Sequence, residues 1–273
     1  MNDPTKISVA VLIVSGNQRD KSVSAVKQIW AMKPASWNTR IYFVDLGSTD
    51  GTAEAIESLG LDLKLIQGNA SWRGGRALHE AQIAIDQAFD YLLLVHDDIT
   101  VFQDTYMRLD EFRKQYPTSI LVGQLSGPAT GELNFGGYEV DSGSELKFTH
   151  KLSQRLPVDV ETFDGHLVII PKKAADAVGY FDTKYSRAFS ERDFGLRATQ
   201  KRIRVLALPG FFGSASTMPQ AELKSRRDSL RHLHNLTAQP PMPTLRFLIR
   251  HSRVRWAVQF VVPYLRILFK KSQ

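Results

Sequence analysis

One pattern constrains the fold of this chain more than any other. Short apolar runs alternate with segments whose apolar residues recur every three or four positions. The runs are ISVAVLIV (7–14), RIYFVD (40–45), LDLKLIQ (61–67), YLLLV (91–95) and SILVGQL (119–125). Where such a run shows no polar alternation, it reads as a strand buried on both faces. Between the runs, residues 20–32 set Val23, Val26, Ile29 and Trp30 at helical spacing, and residues 52–59 make a short helix. Residues 74–89 repeat Ala77, Ala81, Ala84, Ile85 and Ala88, and a fourth helix falls near 104–116. Strand and helix in this order predict an α/β fold: a mostly parallel sheet flanked by helices on both faces.

Ligands of such sheets bind beyond the carboxyl ends of the strands. Asp45 ends the second run, and His96, Asp97 and Asp98 follow the fourth. Adjacent carboxylates repel each other and resist burial. At that edge they line a crevice where a cation or polar ligand offsets the repulsion. Carboxylate oxygens suit Mg²⁺ or Mn²⁺, with substrate phosphates completing the shell. If the strand continues extended, His96 and Asp98 share one side and Asp97 faces the other. The plain alternative for HDDI is a solvated loop start.

After residue 125 the style changes. ELNFGGYEV and ELKFTHKL look like an antiparallel pair around DSGS, GHLVIIP (165–171) is another strand, and KKAADAVG is a short helix closed by Gly179. Residues 191–201 are helical, and RIRVLALP (202–209) is a last strand. Helices follow from 220, interrupted at QPPMP (239–243). The division expected is a main domain over 1–218 and a helical extension over 219–273.

Charge and composition narrow the function classes. The chain has no cysteine, so neither a disulfide framework nor thiolate chemistry is available. No apolar run approaches the ~20 residues of a membrane span, and the start does not read as a signal peptide. The net charge of +7 is local: after Asp228 there are eight Lys/Arg and no acid, which leaves about −1 for the preceding residues. A nucleic-acid binder would be basic across a whole face, so nucleic acid is not an expected partner.

Each remaining motif has a plain reading beside the functional one. VDLGSTDGT (44–52) offers caps for a helix N-terminus, whose free N–H groups favour anions; turn-and-cap chemistry alone explains it equally well. GNASWRGGRALHEA (68–81) carries Gly74 and Gly75, which permit close approach, and Arg73 and Arg76, which suit phosphate; it is no Walker loop. Glu191 in FSERDFGLR opens a helix as a candidate general base, or simply complements the helix dipole. The seven histidines show no close ligand pair on a helix, and no serine triad is apparent.

In order, IVSGNQRD, VDLGSTDGT, GNASWRGG, LLVHDDI, FDGHLVII, VGYFD and ERDFGLR resemble the family 2 glycosyltransferases of GT-A fold over about residues 6–215. The set is most similar to bacterial members that extend surface polysaccharides, such as rhamnosyl- or galactofuranosyl-transferases. The resemblance implies that Ser15, Asp45, Asp50, Arg73, Gly74, Arg76 and Asp97 face the nucleotide-sugar, with Asp45 and Asp50 on base or ribose. HDDI aligns with the DxD motif, so Asp98 would hold Mg²⁺ or Mn²⁺ on the diphosphate, with His96 in place of the first acid. SERDFGLR aligns with E-D-x-D-x-x-x-R, which puts Glu191 on the catalytic base and Asp193 on the second acid. Asp164, Gly165 and His166 would shape the acceptor side. The chain departs from the pattern in two places. No histidine follows the last strand, and GGRALHEA lacks the usual Asn and Gly. Either metal dependence is weaker, or His232 or Arg231 of the tail substitutes.

The implied activity is inverting transfer of a sugar from a nucleoside diphosphate to a glycan or lipid-linked glycan hydroxyl, in bacterial cell-surface polysaccharide synthesis. Two alternatives are a nucleotide-sugar-binding protein without catalysis and a nucleotidyltransferase. The second normally carries a Gly-rich basic loop after the first strand, where SGNQRD stands here. Arg246, Arg250 and Arg253 share a helix face, with Leu245, Leu248, Ile249 and Trp256 beside it. Pro263 should break or kink the helix that follows. This composition suits a helix on an anionic membrane surface, where each cation contributes ~1 kcal/mol. The expected location is cytoplasmic, peripheral at the inner face of the membrane. The alternative is a helix packed on the domain or forming a homodimer.

Overall fold

The computed structural model describes residues 6–72, 74–141, 144–216, 241–252 and 256–269. Its first strands are β1 (Ile7–Ser15), β2 (Trp37–Asp45), β3 (Leu63–Gln67) and β4 (Tyr91–Val95), interleaved with α1 (Arg19–Met32), α2 (Thr52–Glu57) and α3 (Gly74–Ile83). β4–β1–β2–β3 are parallel neighbours, so their carboxyl ends share one edge. The short β5 (Ile99–Val101), α4 (Thr105–Gln115), β6 (Ile120–Ser126) and β7 (Leu133–Phe135) follow.

The apolar runs are buried on both faces because each face has its own layer. In β1, Val9, Val11 and Ile13 pack with Val26 and Ile29 of α1, Ile56 of α2, and Tyr106 and Leu109 of α4. The alternate residues Ala10, Leu12 and Val14 pack with Ala77, Leu78 and Ala81 of α3 on the other side. This is the period-two division of a central strand. The second layer is completed by α5 (Lys172–Val178) and α6 (Arg187–Gln200), through residues such as Ala174, Ala175, Phe194 and Ala198.

The second half adds β8 (Gly137–Asp141), β9 (Ser144–His150), β10 (Val158–Val160), β11 (Thr162–Phe163), β12 (Leu167–Pro171) and β13 (Val205–Ala215). The ten-stranded sheet runs β10-β13-β6-β12-β4-β1-β2-β3, with β5 on β13 and β7 on β6; β11-β8-β9 form a separate three-stranded sheet. The longest ladders are parallel. β12 is wedged antiparallel between β4 and β6. Its amino end therefore lies at the carboxyl edge of β4, which is what builds the site.

Several boundaries differ from expectation. The third helix stops at Ile83 instead of running to 89. Lys64 explains this: its Nζ bonds the Ala84 carbonyl and Asp86 Oδ2, while Tyr42 donates to Asp86 Oδ1, so the chain is drawn onto the sheet. α6 begins at Arg187, which puts Glu191 in its second turn and not at its opening. β13 passes through Pro209 and Gly210 to Ala215, with register shifts absorbing the irregularity.

The extension holds two described helices, α7 (Pro241–His251) and α8 (Trp256–Phe269). Pro241 begins α7, and the residues before it, where a preceding helix was expected, lie outside the described residues. α8 is continuous through Pro263. Arg246 and Arg250, expected at a membrane surface, meet carboxylates of the domain. Both guanidinium groups turn inward onto Asp182, at 2.8 and 2.9 Å, and Arg250 also reaches Asp193 at 2.8 Å. Phe247 and Leu248 are fully buried, and Phe247 packs with Tyr185, Phe189 and Leu196. Thus α7 belongs to the main domain, because a carboxylate and an aromatic pocket offer its two faces more than water does. Among the described residues no helix is long and apolar enough to cross a membrane. Arg231, His232 and Arg253, and the boundary expected near 218, lie outside the described residues.

Candidate functional site

The site begins where β4 and β12 meet. Leu167 pairs with Val95, so His166 and His96 are the next cross-strand pair, and the His96 N–H donates to the His166 carbonyl at 3.1 Å. Their rings stack at 3.7 Å between centroids, and Phe135 stacks on the other face of His166 at 3.6 Å. Asp98 is two residues on, its Oδ1 3.8 Å from His96 Nδ1. That oxygen is buried and has no hydrogen-bond partner. His96, Asp98 and His166 bring one ligand atom each to within 4.8 Å of the others. β4 ends at Val95 and residues 97–98 form a turn, so His96 and Asp98 come together through that turn and not through the extended strand that was expected to set them on one side. Asp97 Oδ2 instead accepts from Ser22 Oγ at 3.2 Å, and Ser22 Oγ lies 2.7 Å from Ser15 Oγ.

Glu191 lies beneath His96. Helix α6 directs it inward, and it is 2% exposed. Its Oε1 faces His96 Nε2 at 3.2 Å and accepts from Arg187 Nε at 3.1 Å, while Oε2 accepts the Gly165 N–H at 2.9 Å. Gly165 is required by this approach, since a Cβ there would sit 2.5 Å from the Glu191 carboxylate. Burial pushes the Glu191 carboxyl up, but the surrounding positive groups and hydrogen bonds outweigh it and hold it well below the usual range. Burial, with the Arg187 charge, lowers His96 to about 4. His96 is therefore neutral at pH 7, and its hydrogen bond to Glu191, with the Arg187 guanidinium and the Gly165 N–H, favours the ionised carboxylate.

Asp193 is placed differently. It follows Glu191 by two helical positions, about 200° around the axis. It is fully buried, with Arg197 Nε, Arg250 Nη1 and His251 Nε2 each 2.8 Å from its oxygens. Burial raises its carboxyl, but the His251 hydrogen bond and the Arg197 and Arg250 guanidinium groups hold it below the usual range. The structure thus separates the two acids: Glu191 joins the histidine cluster, and Asp193 anchors α7.

The residues expected on the nucleotide side lie in two stitched loops at the same edge. Asp45 accepts from the N–H groups of Gly47 and Ser48 and from Ser48 Oγ. Asp50 accepts from the Arg19 N–H and from Thr52, and its carboxyl is held down chiefly by the Thr52 hydroxyl. Asn17, at φ 53°, accepts the Thr49 N–H and ties the loop after β1 to the loop after β2. Gly74 and Gly75 serve packing of α3 against α6: a Cβ on Gly74 would meet Arg187, and one on Gly75 would lie 2.5 Å from the Asp182 carbonyl. Arg76 pairs with Glu80 at 3.4 Å and stacks on Trp72. Arg73 lies outside the described residues. Asp164 Oδ1 lies 2.9 Å from His166 Nδ1, and its Oδ2 accepts the Gly136 N–H, so the 163–166 turn adjoins the cluster.

Sequence reasoning missed the role of Arg187, although its spacing four residues before Glu191 on one helix was the available signal. It also missed the approach of His96 to His166, seventy positions apart, which no local spacing announces.

No family model and no curated protein sequence matches the chain. Solved structures do. Residues 1–349 of TarS from S. aureus superpose with a TM-score of 0.60 at 15% identity, over 97% of this chain and 82% of that one. A mannosyltransferase from Pyrobaculum calidifontis, in complex with GDP-Man and Mn²⁺, gives 0.58 at 14%, over 98% and 82%. GalNAc-T7, with UDP, GalNAc and Mn²⁺, gives 0.67 at 14%, over 97% of this chain and 52% of that one. The fold is GT-A. In this sheet the His96–Asp98 turn follows the carboxyl end of β4, which lies between β1 and β12.

Proposed function

We propose that the chain is an inverting glycosyltransferase that uses a nucleoside-diphosphate-sugar donor and a glycan or lipid-linked glycan acceptor in bacterial surface polysaccharide synthesis. The observation that carries this reading is geometric: at the carboxyl edge of a GT-A sheet, His96 lies between an unpartnered Asp98 oxygen at 3.8 Å and the buried Glu191 carboxylate at 3.2 Å. The likeness to structures holding UDP-GlcNAc or GDP-Man supports the donor class.

In this reading the loops at 15–19 and 45–50 hold the nucleoside, with Ser15, Asp45, Asp50 and Asp97 shaping the pocket. Gly74, Arg73 and Arg76 adjoin the donor side. Asp164, Gly165 and His166 border the acceptor. The residues present fit a divalent ion: Asp98 offers a buried oxygen that lacks a donor, beside two imidazoles. When bound, Mg²⁺ or Mn²⁺ neutralises charge growing on the departing diphosphate. Glu191 receives the acceptor proton as the hydroxyl attacks the anomeric carbon opposite the leaving group. Arg187 and the Gly165 N–H hold that carboxylate in place. Asp193 keeps α6 against α7 rather than touching substrate.

One observation favours a second reading, a nucleotide-sugar-binding module. Glu191 is buried and already accepts three hydrogen bonds. A panel of nucleotide-sugars, assayed for nucleoside diphosphate release with Mn²⁺, separates the two. Release from one donor class, abolished by Glu191→Gln, supports the transferase. Tight donor binding with no release from any donor supports the module.

The extension's part in this function is peripheral attachment at the inner face of an anionic membrane, where lipid-linked acceptors are presented. With Arg246 and Arg250 engaged, the exposed apolar residues Val258 and Val261 of α8 are the contacts that support it. A homodimer through the same helix is the competing outcome.

A further inference from the structure

A cavity of about 520 Å³ opens where the extension meets the domain. Ser71 and Arg76 line it from the start of α3, Thr183 and Lys184 from the loop before α6, and Met242 and Arg246 from α7. Its volume falls in the ~300–1,000 Å³ range of ligand sites. Three cations and two hydroxyls face it, and among the described residues no carboxylate does. Ser15, Asp45, Asp50, Asp97 and Asp98 are not in its wall, so it lies outside the crevice proposed for the nucleoside. Both arginines are fixed in advance. Arg76 lies over the Trp72 ring at 4.9 Å and meets Glu80 through Nε at 3.4 Å. Arg246 meets Asp182 through Nε and Nη2 at 3.0 and 2.8 Å. A guanidinium has five N–H donors, so each keeps donors beyond those its carboxylate takes. Asp182 is shared with Arg250, so one negative charge stands against two positive ones. Held guanidinium forks beside an ammonium and two hydroxyls suit the oxygens of a phosphate ester. A carboxylate offers only two oxygens in one plane to cations that come from three separate segments. Met242, 72% exposed, adds an apolar lip.

We propose that this cavity is a second anion site, which takes a phosphate ester of the acceptor, borne either by a lipid carrier or by a soluble glycan phosphate. Arg76 follows Gly74 by two residues, and Lys184 precedes Arg187 by three. The cavity thus adjoins the contact of Gly74 with Arg187, and Arg187 in turn reaches Glu191. A phosphate held there anchors an acceptor against α3 and α6, the second of which carries Glu191. The inference rests on the proposed function for calling the ligand an acceptor, but not for whether phosphate binds.

The test is calorimetric titration of the full-length chain with inorganic pyrophosphate, at low salt and in EDTA, without any sugar donor. Wild-type protein should bind one equivalent. Lys184 is exposed, so its replacement spares the fold. Lys184→Glu should weaken pyrophosphate at least ~10-fold, the scale of a lost hydrogen bond to a charged group, and Lys184→Arg should keep it. Asp98→Ala should bind like wild type, because Asp98 belongs to the other crevice. Circular dichroism confirms the fold of each variant. Geranyl diphosphate and glucose 1-phosphate then separate the two sources. A lipid carrier is supported if geranyl diphosphate binds more tightly than pyrophosphate and Met242→Ser removes the gain. A glycan phosphate is supported if glucose 1-phosphate displaces pyrophosphate and the geranyl chain adds nothing. The proposal is overturned if pyrophosphate does not bind, if Lys184→Glu binds it like wild type, or if Asp98→Ala abolishes binding. It is equally overturned if neither ester displaces pyrophosphate. Phosphate binding intact with no sugar transfer from any donor would instead count against the proposed function alone.

Discussion

Asp193→Asn isolates the role of the second acid. In the native fold this carboxylate is fully buried and is shared by Arg197, Arg250 and His251 at 2.8 Å each. Asparagine keeps the volume, removes the charge, and turns an N–H₂ group toward donors. Breaking a buried ion pair from one side costs about 3–5 kcal/mol. Arg250 is 30% exposed and Arg197 16%, so water recovers part of that loss. About 3 kcal/mol is the working figure after that discount. At roughly 2–4 °C per kcal/mol for a chain of this size, the midpoint should fall by about 6–12 °C. Scanning calorimetry measures it, and hydrogen exchange should show residues 244–252 opening first, because α7 is held by this carboxylate and Asp182. Nucleotide affinity at low temperature should be unchanged. A midpoint within about 2 °C of wild type, less than 1 kcal/mol by the same scaling, would refute the anchor. So would lost nucleotide binding in a folded variant.

Three further outcomes are expected. Glu191→Gln should lose at least ~10²-fold in turnover while keeping donor binding, as removal of a general base does; near-normal turnover would reject that role. Gly75→Ala brings a Cβ to 2.5 Å from the Asp182 carbonyl and 2.8 Å from that of Tyr185, both backbone, so it should cost about 1–3 kcal/mol by denaturant titration; a neutral result would mean that α3 can slide on α6. Full-length protein should co-sediment with anionic liposomes, less so at high salt, and Val258→Asp/Val261→Asp should not; equal sedimentation would exclude α8 as the contact.

The parallel half of the fold was legible because its chemistry is local. Each buried strand needs a continuous apolar run, and ISVAVLIV and YLLLV declare themselves. The place of β12 was not legible, since a buried strand reads the same whether it runs with or against its neighbours. Of the candidate site, Asp98 was singled out because acids after a central strand are costly without a ligand. The approach of His166 to His96 was not legible, because only the antiparallel insertion of β12 sets it there. The partners of the α7 cations were not legible for a related reason. Arg246 and Arg250 look solvent-facing by spacing, and only the fold brings Asp182 and Asp193 beneath them.

The most direct test of the proposed function follows the anomeric configuration of the product by proton NMR. The protein, the nucleotide-sugar it binds, an acceptor glycan and Mn²⁺ are incubated together. An in-line attack assisted by Glu191 predicts a product of configuration opposite to the donor, formed by wild type and not by Glu191→Gln. A product that retains the donor's configuration would contradict the account, as would intact donor with every nucleotide-sugar despite bound nucleotide.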